Sequence, residues 1–308
     1  MINALAMNPA IDLTLYISEL TPGGTHRPNR SQRDVGGKAV NTVSALRNLG
    51  VPCRLLGFDF LENGNLLKEQ LQASGIPYEL LPTEGAIRTN VKIFEESRQL
   101  MTEFNQGGAA VSDEAVADLI DLAAGAEGSV LVLSGSLPPG ADDGVYGEII
   151  RRAKVPVILD TYGTALRKGL EAGAFLIKPN LHELELTFGK GYRAQDLLRD
   201  YPKLRAICLS LGADGAQIIG RDGEYFSPAL PLEVRGVQGA GDAMVAGLAA
   251  LLSEDANTPL PLLLKHAVAA AAASLIREGT LMADKSDFDE MLDKVEVQML
   301  KSNGLCIE

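Results

Sequence analysis

The chain has 308 residues, of which 46% are hydrophobic and 22% are charged, and this is enough apolar material for one large buried core. Its formal net charge is −12 and Lys and Arg do not cluster, which excludes a long contact with a nucleic-acid backbone. The cysteines Cys53, Cys208 and Cys306 form no C-x-x-C pair, so we expect neither a disulfide framework nor a zinc knuckle. No basic leader or membrane-length apolar run is visible, so we expect a cytoplasmic protein without membrane contact.

Short runs rich in Val, Ile and Leu predict the strands of a mostly parallel sheet, since segments with helical spacing separate them. These runs are 2–7, 130–133, 155–159, 174–177 and 206–209. Each ends in a polar or glycine cluster, respectively Asn8-Pro9, Ser134-Gly135-Ser136, Asp160-Thr161, Lys178-Pro179-Asn180 and Ser210-Leu211-Gly212. The pattern predicts an α/β fold, with a ligand cleft outside the carboxyl ends of the strands.

Two stretches depart from this alternation. Residues 11–17 alternate strictly between apolar and polar side chains, and residues 87–105 have the pattern of a hairpin that turns near Glu95-Glu96-Ser97. We expect antiparallel strands outside the main sheet, forming a small β lid from about 11–35 and 87–106. The lid would be inserted in a single domain that spans 1–308.

A glycine-rich helix start occurs at Gly239-Ala240-Gly241-Asp242, before a long apolar segment. Backbone N–H groups at such a start can bind an anion, and the helix dipole favours a carboxylate in the first turn. Asp242 is therefore a candidate base beside a phosphoryl group, and a simple helix cap is the alternative.

A second glycine-rich helix start is Gly36-Gly37-Lys38-Ala39-Val40-Asn41. Val40, Val43, Leu46 and Leu49 are spaced for one helical face, and Gly50 follows as a C′ residue. Lys38 can neutralise a substrate phosphate and Asn41 can bind sugar hydroxyls, or the segment is a plain turn with a solvated lysine. It is neither a Walker A motif nor a Rossmann fingerprint.

Further candidates lie on the predicted lid and in the second half of the chain. Arg88 can grip a phosphate and Asp12 can accept sugar hydroxyls, although an exposed strand arginine has the same pattern. Asn180 and Glu183 share a helical face, where they can hold Mg²⁺ through water or form a helix cap. Without an H-E-x-x-H or a Gly-x-Ser-x-Gly motif, zinc and serine hydrolases are disfavoured.

Taken in order, these segments resemble the PfkB sugar kinases over nearly the whole chain, and most of all the branch of 1-phosphofructokinase and tagatose-6-phosphate kinase. The motifs are Asn8-Pro9-Ala10-Ile11-Asp12, Gly-Gly-Lys-x-x-Asn, Arg-x-Asn-Val-Lys, Ser-Gly-Ser-Leu-Pro, Asp-Thr-x-Gly, Lys-Pro-Asn-x-x-Glu-Leu, Ser-Leu-Gly-Ala-Asp-Gly-Ala and Gly-Ala-Gly-Asp. The resemblance implies a ribokinase-like three-layer α/β/α sandwich with a β lid, the use of ATP and Mg²⁺, and a possible homodimer through the lid.

The resemblance also implies a role for each candidate residue. Asp242 would be the catalytic base, beside an anion hole formed by Gly239, Ala240 and Gly241. Sugar-phosphate contacts would come from Asp12, Gly37, Lys38, Asn41, Arg88 and Asn90. The metal pair would be Asn180 and Glu183, and Ser210 and Gly212, with Gly241, would lie on the nucleotide side.

The chain departs from the branch at Ala39, Ile87, Tyr162 and Val237-Gln238, where the branch has Gly, Thr, Ser and Thr-Val. Ala39 and Ile87 are expected beside the sugar phosphate, and Gln238 beside the anion hole. The function expected is the conversion of fructose 1-phosphate to fructose 1,6-bisphosphate. A tagatose-6-phosphate kinase and a catalytically silent sugar-phosphate sensor are the alternatives, and an unphosphorylated sugar or nucleoside substrate and a dinucleotide oxidoreductase are disfavoured.

Overall fold

The computed structural model describes residues 1–277 and 282–301, so Cys306 lies outside the described residues. In chain order the strands are β1 (Ile2–Ala6), β2 (Ala10–Ile17), β3 (Arg30–Gly36), β4 (Cys53–Glu62), β5 (Tyr78–Ala86), β6 (Arg88–Glu95), β7 (Leu100–Phe104), β8 (Val130–Ser134), β9 (Val157–Asp160), β10 (Leu176–Ile177), β11 (Ala206–Ser210), β12 (Ala216–Gly220), β13 (Gly223–Ser227) and β14 (Gln298–Lys301).

The helices lie between these strands and, in the C-terminal third, follow one another. They are α1 (Lys38–Asn48), α2 (Gly64–Ala73), α3 (Asp113–Gly125), α4 (Val145–Arg152), α5 (Gly163–Ala172), α6 (Leu181–Phe188), α7 (Ala194–Asp200), α8 (Ala240–Glu254), α9 (Leu260–Leu275) and α10 (Lys285–Lys294). In the described part of the chain, no helix is both long and apolar enough to cross a membrane.

The main sheet has ten strands among the described residues, in the order β14-β13-β12-β11-β10-β9-β8-β1-β4-β5. The strands from β5 to β11 run parallel, and β12, β13 and β14 add an antiparallel edge. Strands β1 and β8 are fully buried, which explains why they are continuous apolar runs rather than alternating ones. The α/β fold predicted from these runs is confirmed.

A separate sheet of four strands has the order β3-β2-β6-β7. The hairpin predicted over 87–105 is present as β6 and β7, which pair antiparallel, and β2 pairs antiparallel with β3. The expectation that all these strands are antiparallel was wrong, because β2 and β6 pair parallel, with Asp12 opposite Asn90. Their parallel pairing follows from a long crossover through α1, β4, α2 and β5, whereas an antiparallel pair needs only a turn.

Helix α1 forms as its spacing predicts. Val40, Val43 and Leu46 are fully buried, and Gly50 has the left-handed φ of 75° that a C′ glycine supplies. Helices α8 and α9 pack closely, since a Cβ on Gly247 would lie 2.6 Å from the carbonyl oxygen of His266. This tight contact fixes the position of α8, which begins at Gly239, relative to α9.

Candidate active site

A cleft of ≈ 370 Å³ lies where the carboxyl ends of the central strands face the small sheet. Most of its lining comes from four places: the ends of β1 and β8, the small sheet, the start of α1 and the start of α8. Tyr162, which directly precedes α5, also lines it. The polar residues that line it include Asn8, Ser134, Ser136, Asp12, Arg88, Asn90, Lys92, Lys38, Asn41, Gln238 and Asp242. The predicted location of a ligand cleft, at the polar strand ends, agrees with this arrangement.

The start of α8 forms one wall of the cleft. Gly239 has a φ of 75°, and a Cβ there would lie 2.5 Å from Cε of Met282, so the position requires glycine. No side chain caps the helix, which leaves the first N–H groups of α8 available to an anion. The predicted anion cradle at Gly239, Ala240 and Gly241 therefore has the backbone geometry it needs.

Asp242 is the third residue of α8 and is 8% exposed. Its Oδ2 accepts a hydrogen bond of 2.7 Å from Nδ2 of Asn41. Burial, together with the negative charge of Asp160, raises the pKa of Asp242 to about 6, although Lys38 and Asn41 act in the opposite direction. The carboxylate is thus ionised at neutral pH and is more basic than an exposed aspartate.

Lys38 links the start of α1 to two carboxylates. Its Nζ lies 3.2 Å from Oδ1 of Asp160 and 3.0 Å from Oε1 of Glu183. Burial opposes the charge on the ammonium, but Asp160, Glu183 and Asp242 outweigh burial and raise the pKa of Lys38. Lys38 is therefore a fixed cation at the cleft and not a solvated lysine in a plain turn.

Asp160 sits at the centre of this charge network and is 1% exposed. Its Oδ1 also lies 3.4 Å from Nζ of Lys178. Burial alone would raise the pKa of Asp160, but Lys178 and Lys38 more than offset it, so this pKa lies below its usual value. Lys178 in turn borders the helix start, since a Cβ on Gly241 would lie 3.4 Å from its Nζ.

The small sheet presents a row of polar side chains to the opposite wall. Asp12 accepts a hydrogen bond of 2.9 Å from Asn90 and pairs with Lys92 at 3.0 Å. Arg88 donates from Nη1 to the carbonyl oxygen of Gln106 at 3.0 Å, and burial lowers the pKa of its guanidinium. Glu103 of β7 also lines the cleft, so this wall carries two cations, one amide and two carboxylates.

Three buried polar atoms of cleft residues have no hydrogen-bond partner in the described structure. They are Nε of Arg88, Oδ1 of Asn90 and Oγ of Ser134. Buried polar groups are nearly always hydrogen-bonded, so unsatisfied donors and acceptors around one cleft indicate a polar ligand.

Asn180 and Glu183 form the capping box that was the structural alternative for this pair. Oδ1 of Asn180 accepts from the N–H of Glu183 at 2.7 Å, and Oε2 of Glu183 accepts from the N–H of Asn180 at 3.0 Å. The remaining Glu183 oxygen faces Lys38. The described residues contain no group of three or more His, Cys, Asp or Glu side chains that would hold a metal.

The structure brings some of the predicted residues into one cleft and leaves others beside it. Those that line the cleft are Asp12, Gly37, Lys38, Asn41, Arg88, Asn90, Gly239 and Asp242. Ala240 and Gly241 form the next positions of α8, and Asn180 and Glu183 adjoin the cleft through Lys38. Ser210 pairs with Asn180 across an isolated bridge, and Gly212 begins a 3₁₀ turn beyond it, so neither lines this cleft.

Asp160, Lys178 and Lys92 were not assigned roles from the sequence, although each belongs to a quoted motif. The signal for Asp160 and Lys178 is a charge at the end of a buried strand. For Lys92 it is the two-residue alternation that places it on the same face of β6 as Arg88 and Asn90. Sequence does not distinguish such charges from solvated ones.

The departures from the branch pattern have different structural settings. Ile87 is buried in the hydrophobic core and does not line the cleft, whereas Ala39 and the half-exposed Tyr162 do. Gln238 adjoins the helix start as expected, and its side chain contacts the small sheet, where Oε1 accepts a hydrogen bond of 2.9 Å from Nζ of Lys92.

Comparisons with known proteins show the family to which the chain belongs. The family model for pfkB family carbohydrate kinases matches residues 5–285. A 1-phosphofructokinase of Borreliella burgdorferi is 30% identical over 308 residues, covering 97% of this chain and 98% of the relative. One of Xanthomonas campestris is 32% identical over 274 residues, covering 82% and 84%. The solved structure of Escherichia coli phosphofructokinase-2 in complex with fructose-6-phosphate has a TM-score of 0.86 at 25% identity and covers 95% of this chain and 98% of that one.

Proposed function

The chain belongs to the pfkB family of carbohydrate kinases, and on that premise we propose that it phosphorylates fructose 1-phosphate at C6 with ATP as donor. The observation that carries the proposal is Asp242, a buried carboxylate in the first turn of an uncapped helix, which lines the same cleft as the cations Arg88 and Lys92. The names of the curated relatives favour fructose 1-phosphate over tagatose 6-phosphate, which would be phosphorylated at C1.

In the proposed reaction Asp242 accepts the proton of the attacking hydroxyl. Its pKa of about 6 suits this task, because the group is ionised at neutral pH and still basic enough to share a proton in the transition state. The N–H groups of Gly239, Ala240 and Gly241 stabilise the charge on the transferring phosphoryl group, and Lys178 lies close enough to contribute. Attack is in line with the leaving ADP.

The opposite wall would hold the sugar phosphate. Arg88 has an unsatisfied Nε and a planar guanidinium, which suits a phosphate, and Lys38 adds a second cation. Asp12, Asn41 and Asn90 would bind sugar hydroxyls, with Gly37 allowing close approach at the start of α1. The strands of the small sheet would act as a lid that excludes water during transfer.

Mg²⁺ is part of the proposal because phosphoryl transfer from ATP requires neutralisation of the phosphates. The donor set fits an ion that arrives with the nucleotide and is held through water, because each Glu183 oxygen already accepts one hydrogen bond. The amide oxygen of Asn180 is committed to the helix cap and is a weaker candidate ligand. Ser210 and Gly212, next to Asn180, would lie on the nucleotide side.

We also infer a homodimer formed through the small sheet. By alternation, its face opposite Asp12 and Lys92 carries Leu13, Leu15, Val91 and Ile93, with Leu13 opposite Val91 and Leu15 opposite Ile93. All four are only partly buried, as expected for an apolar face that another subunit covers. Sedimentation equilibrium of the wild type and of Val91→Asp tests this, with loss of the dimer expected in the variant.

The kinase is tested by ADP release with ATP and Mg²⁺ across fructose 1-phosphate, tagatose 6-phosphate, fructose 6-phosphate and the free sugars. We expect turnover of fructose 1-phosphate that Asp242→Asn abolishes and that Asp113→Asn, an exposed first-turn aspartate in α3, leaves unchanged. Sugar-phosphate binding without turnover of any substrate would contradict the proposal and indicate a sensor.

A further inference from the structure

Gln238 connects the small sheet to the start of α8. Its Oε1 accepts a hydrogen bond of 2.9 Å from Nζ of Lys92, and the same ammonium lies 3.0 Å from Oδ2 of Asp12. Gln238 directly precedes Gly239, whose left-handed backbone begins α8. Two side chains thus join the strand that carries Arg88 and Asn90 to the helix that carries Asp242.

Lys92 needs both of its partners. It is 7% exposed, and a buried ammonium is stable only when it is paired and hydrogen-bonded. Asp12 supplies the charge, but its carboxylate also accepts the hydrogen bond from Asn90. The amide of Gln238 supplies a further acceptor from the other wall of the cleft, so this contact ties the ammonium to a fixed point outside the small sheet.

The chemistry of an amide suits this place. Gln238 accepts from the ammonium without adding a second negative charge to that of Asp242 at the helix start, where the added charge would repel the phosphoryl group. An apolar side chain there would leave Lys92 without an acceptor on this wall.

The position of Lys92 matters because it shares one face of β6 with Arg88 and Asn90. Nε of Arg88 and Oδ1 of Asn90 are buried and have no partner in the described structure, which makes these two side chains candidates to bind a polar ligand. A contact that holds Lys92 against the α8 wall therefore also holds the strand that carries these two side chains.

We propose that Gln238 is a positioning residue for the sugar phosphate: through Lys92 it keeps the substrate-facing side of β6 in its binding position against α8. The inference rests on the proposed kinase function and deepens it. According to this inference, Gln238 does not contact the sugar directly. It changes the affinity for the sugar phosphate from the α8 side of the cleft, through its hydrogen bond with Lys92.

The test is a double-mutant cycle on the full-length protein with Gln238→Met, Lys92→Met and the double variant. The Kd of fructose 1-phosphate is measured by calorimetry without nucleotide, and the Kd of ATP separately. Since a hydrogen bond to a charged group is lost, we expect Gln238→Met to weaken sugar-phosphate binding about 10-fold or more and ATP binding less than about 2-fold. In the Lys92→Met background, the second change should alter the sugar-phosphate Kd by less than about 2-fold.

Gln217→Met is the matched control, because Gln217 lies on β12 and contacts Glu224 away from the cleft. Gln238→Val removes the same amide with a smaller side chain, and it replaces Gln238→Met if that variant does not fold. The inference would be overturned, and the proposed function left standing, if the folded Gln238 variant bound the sugar phosphate as tightly as the wild type does. Full additivity of the changes in binding free energy of the Gln238 and Lys92→Met variants would have the same meaning. Wild-type protein that neither binds nor phosphorylates a ketohexose phosphate would overturn the proposed function and the inference with it.

Discussion

Replacement of Asp242 by Asn should make the folded protein more stable at neutral pH while it removes the catalytic base. The carboxyl has a pKa of about 6 in the folded protein against an ordinary value of 3.8. Ionised Asp242 therefore costs the folded state about 3 kcal/mol, from 1.36 kcal/mol for each pH unit between the two values. Asparagine retains an acceptor for Asn41 and carries no charge, so it avoids this cost.

The sign of the pH dependence follows from the raised pKa. Below pH 3.8 the carboxyl is protonated in both the folded and the unfolded state, so its burial does not lower the free energy of unfolding of the wild type. As the pH rises through 6, the carboxyl ionises in the folded state as well, and the wild type has lost this part of its free energy of unfolding. Urea unfolding at pH 8 should therefore show Asp242→Asn more stable than the wild type by about 3 kcal/mol, with the difference shrinking towards pH 4.

The exposed Asp113→Asn serves as the control for loss of a first-turn charge and should change the unfolding free energy by less than about 0.5 kcal/mol. Equal stabilities of Asp242→Asn and wild type at pH 8, or a difference that is independent of pH, would refute the assignment of Asp242 as a desolvated carboxylate.

Three further outcomes are expected. Asp242→Asn should lower kcat by about 10²-fold or more while the Kd of the sugar phosphate, measured by calorimetry, changes little. The kcat/KM of the wild type should fall as the pH drops below about 6. Asp160→Asn should move this acidic limb of the pH profile to lower pH, because removing the charge of Asp160 lowers the pKa of Asp242. If the limb does not move, the titrating group is the substrate phosphate instead of Asp242. Lys38→Met should raise the KM of the sugar phosphate about 10-fold or more, measured by ADP release, since one cation of the cleft is lost; an unchanged KM would place Lys38 outside the substrate site.

The elements of the main sheet were predictable because burial leaves a strong mark on sequence. Strands such as β1 and β8 are covered on both faces, so they are unbroken apolar runs that end in polar clusters. The pairing of β2 with β6 was predicted with the wrong direction, because strand alternation reports which face a side chain occupies and carries no information on the partner strand. The parallel strands β4 and β5 and the antiparallel edge of β12, β13 and β14 were not predicted at all.

In the candidate site, too, residues with a local sequence signal were predicted, and residues that depend on contacts between distant segments were missed. Gly239 and Asp242 were identifiable because glycine and aspartate have specific uses at a helix start. Lys178 and Asp160 were missed, since their significance lies in a charge network that joins residues from β9, β10 and α1. The ion pair between Lys92 and Asp12 likewise depends on the unexpected register of the small sheet. Family membership, by contrast, rested on the order of the motifs and is confirmed.

The central place of β1 in the main sheet has a consequence for biosynthesis. Ile2 pairs with Cys53 on one side and with Val130 on the other, so β1 is synthesised before either of the strands that cover its edges. Until β8 has also left the ribosome, the apolar strand β1 has at least one edge without its partner strand. Because such long-range pairings fold slowly, the nascent chain should depend on chaperone protection more than its final stability would suggest.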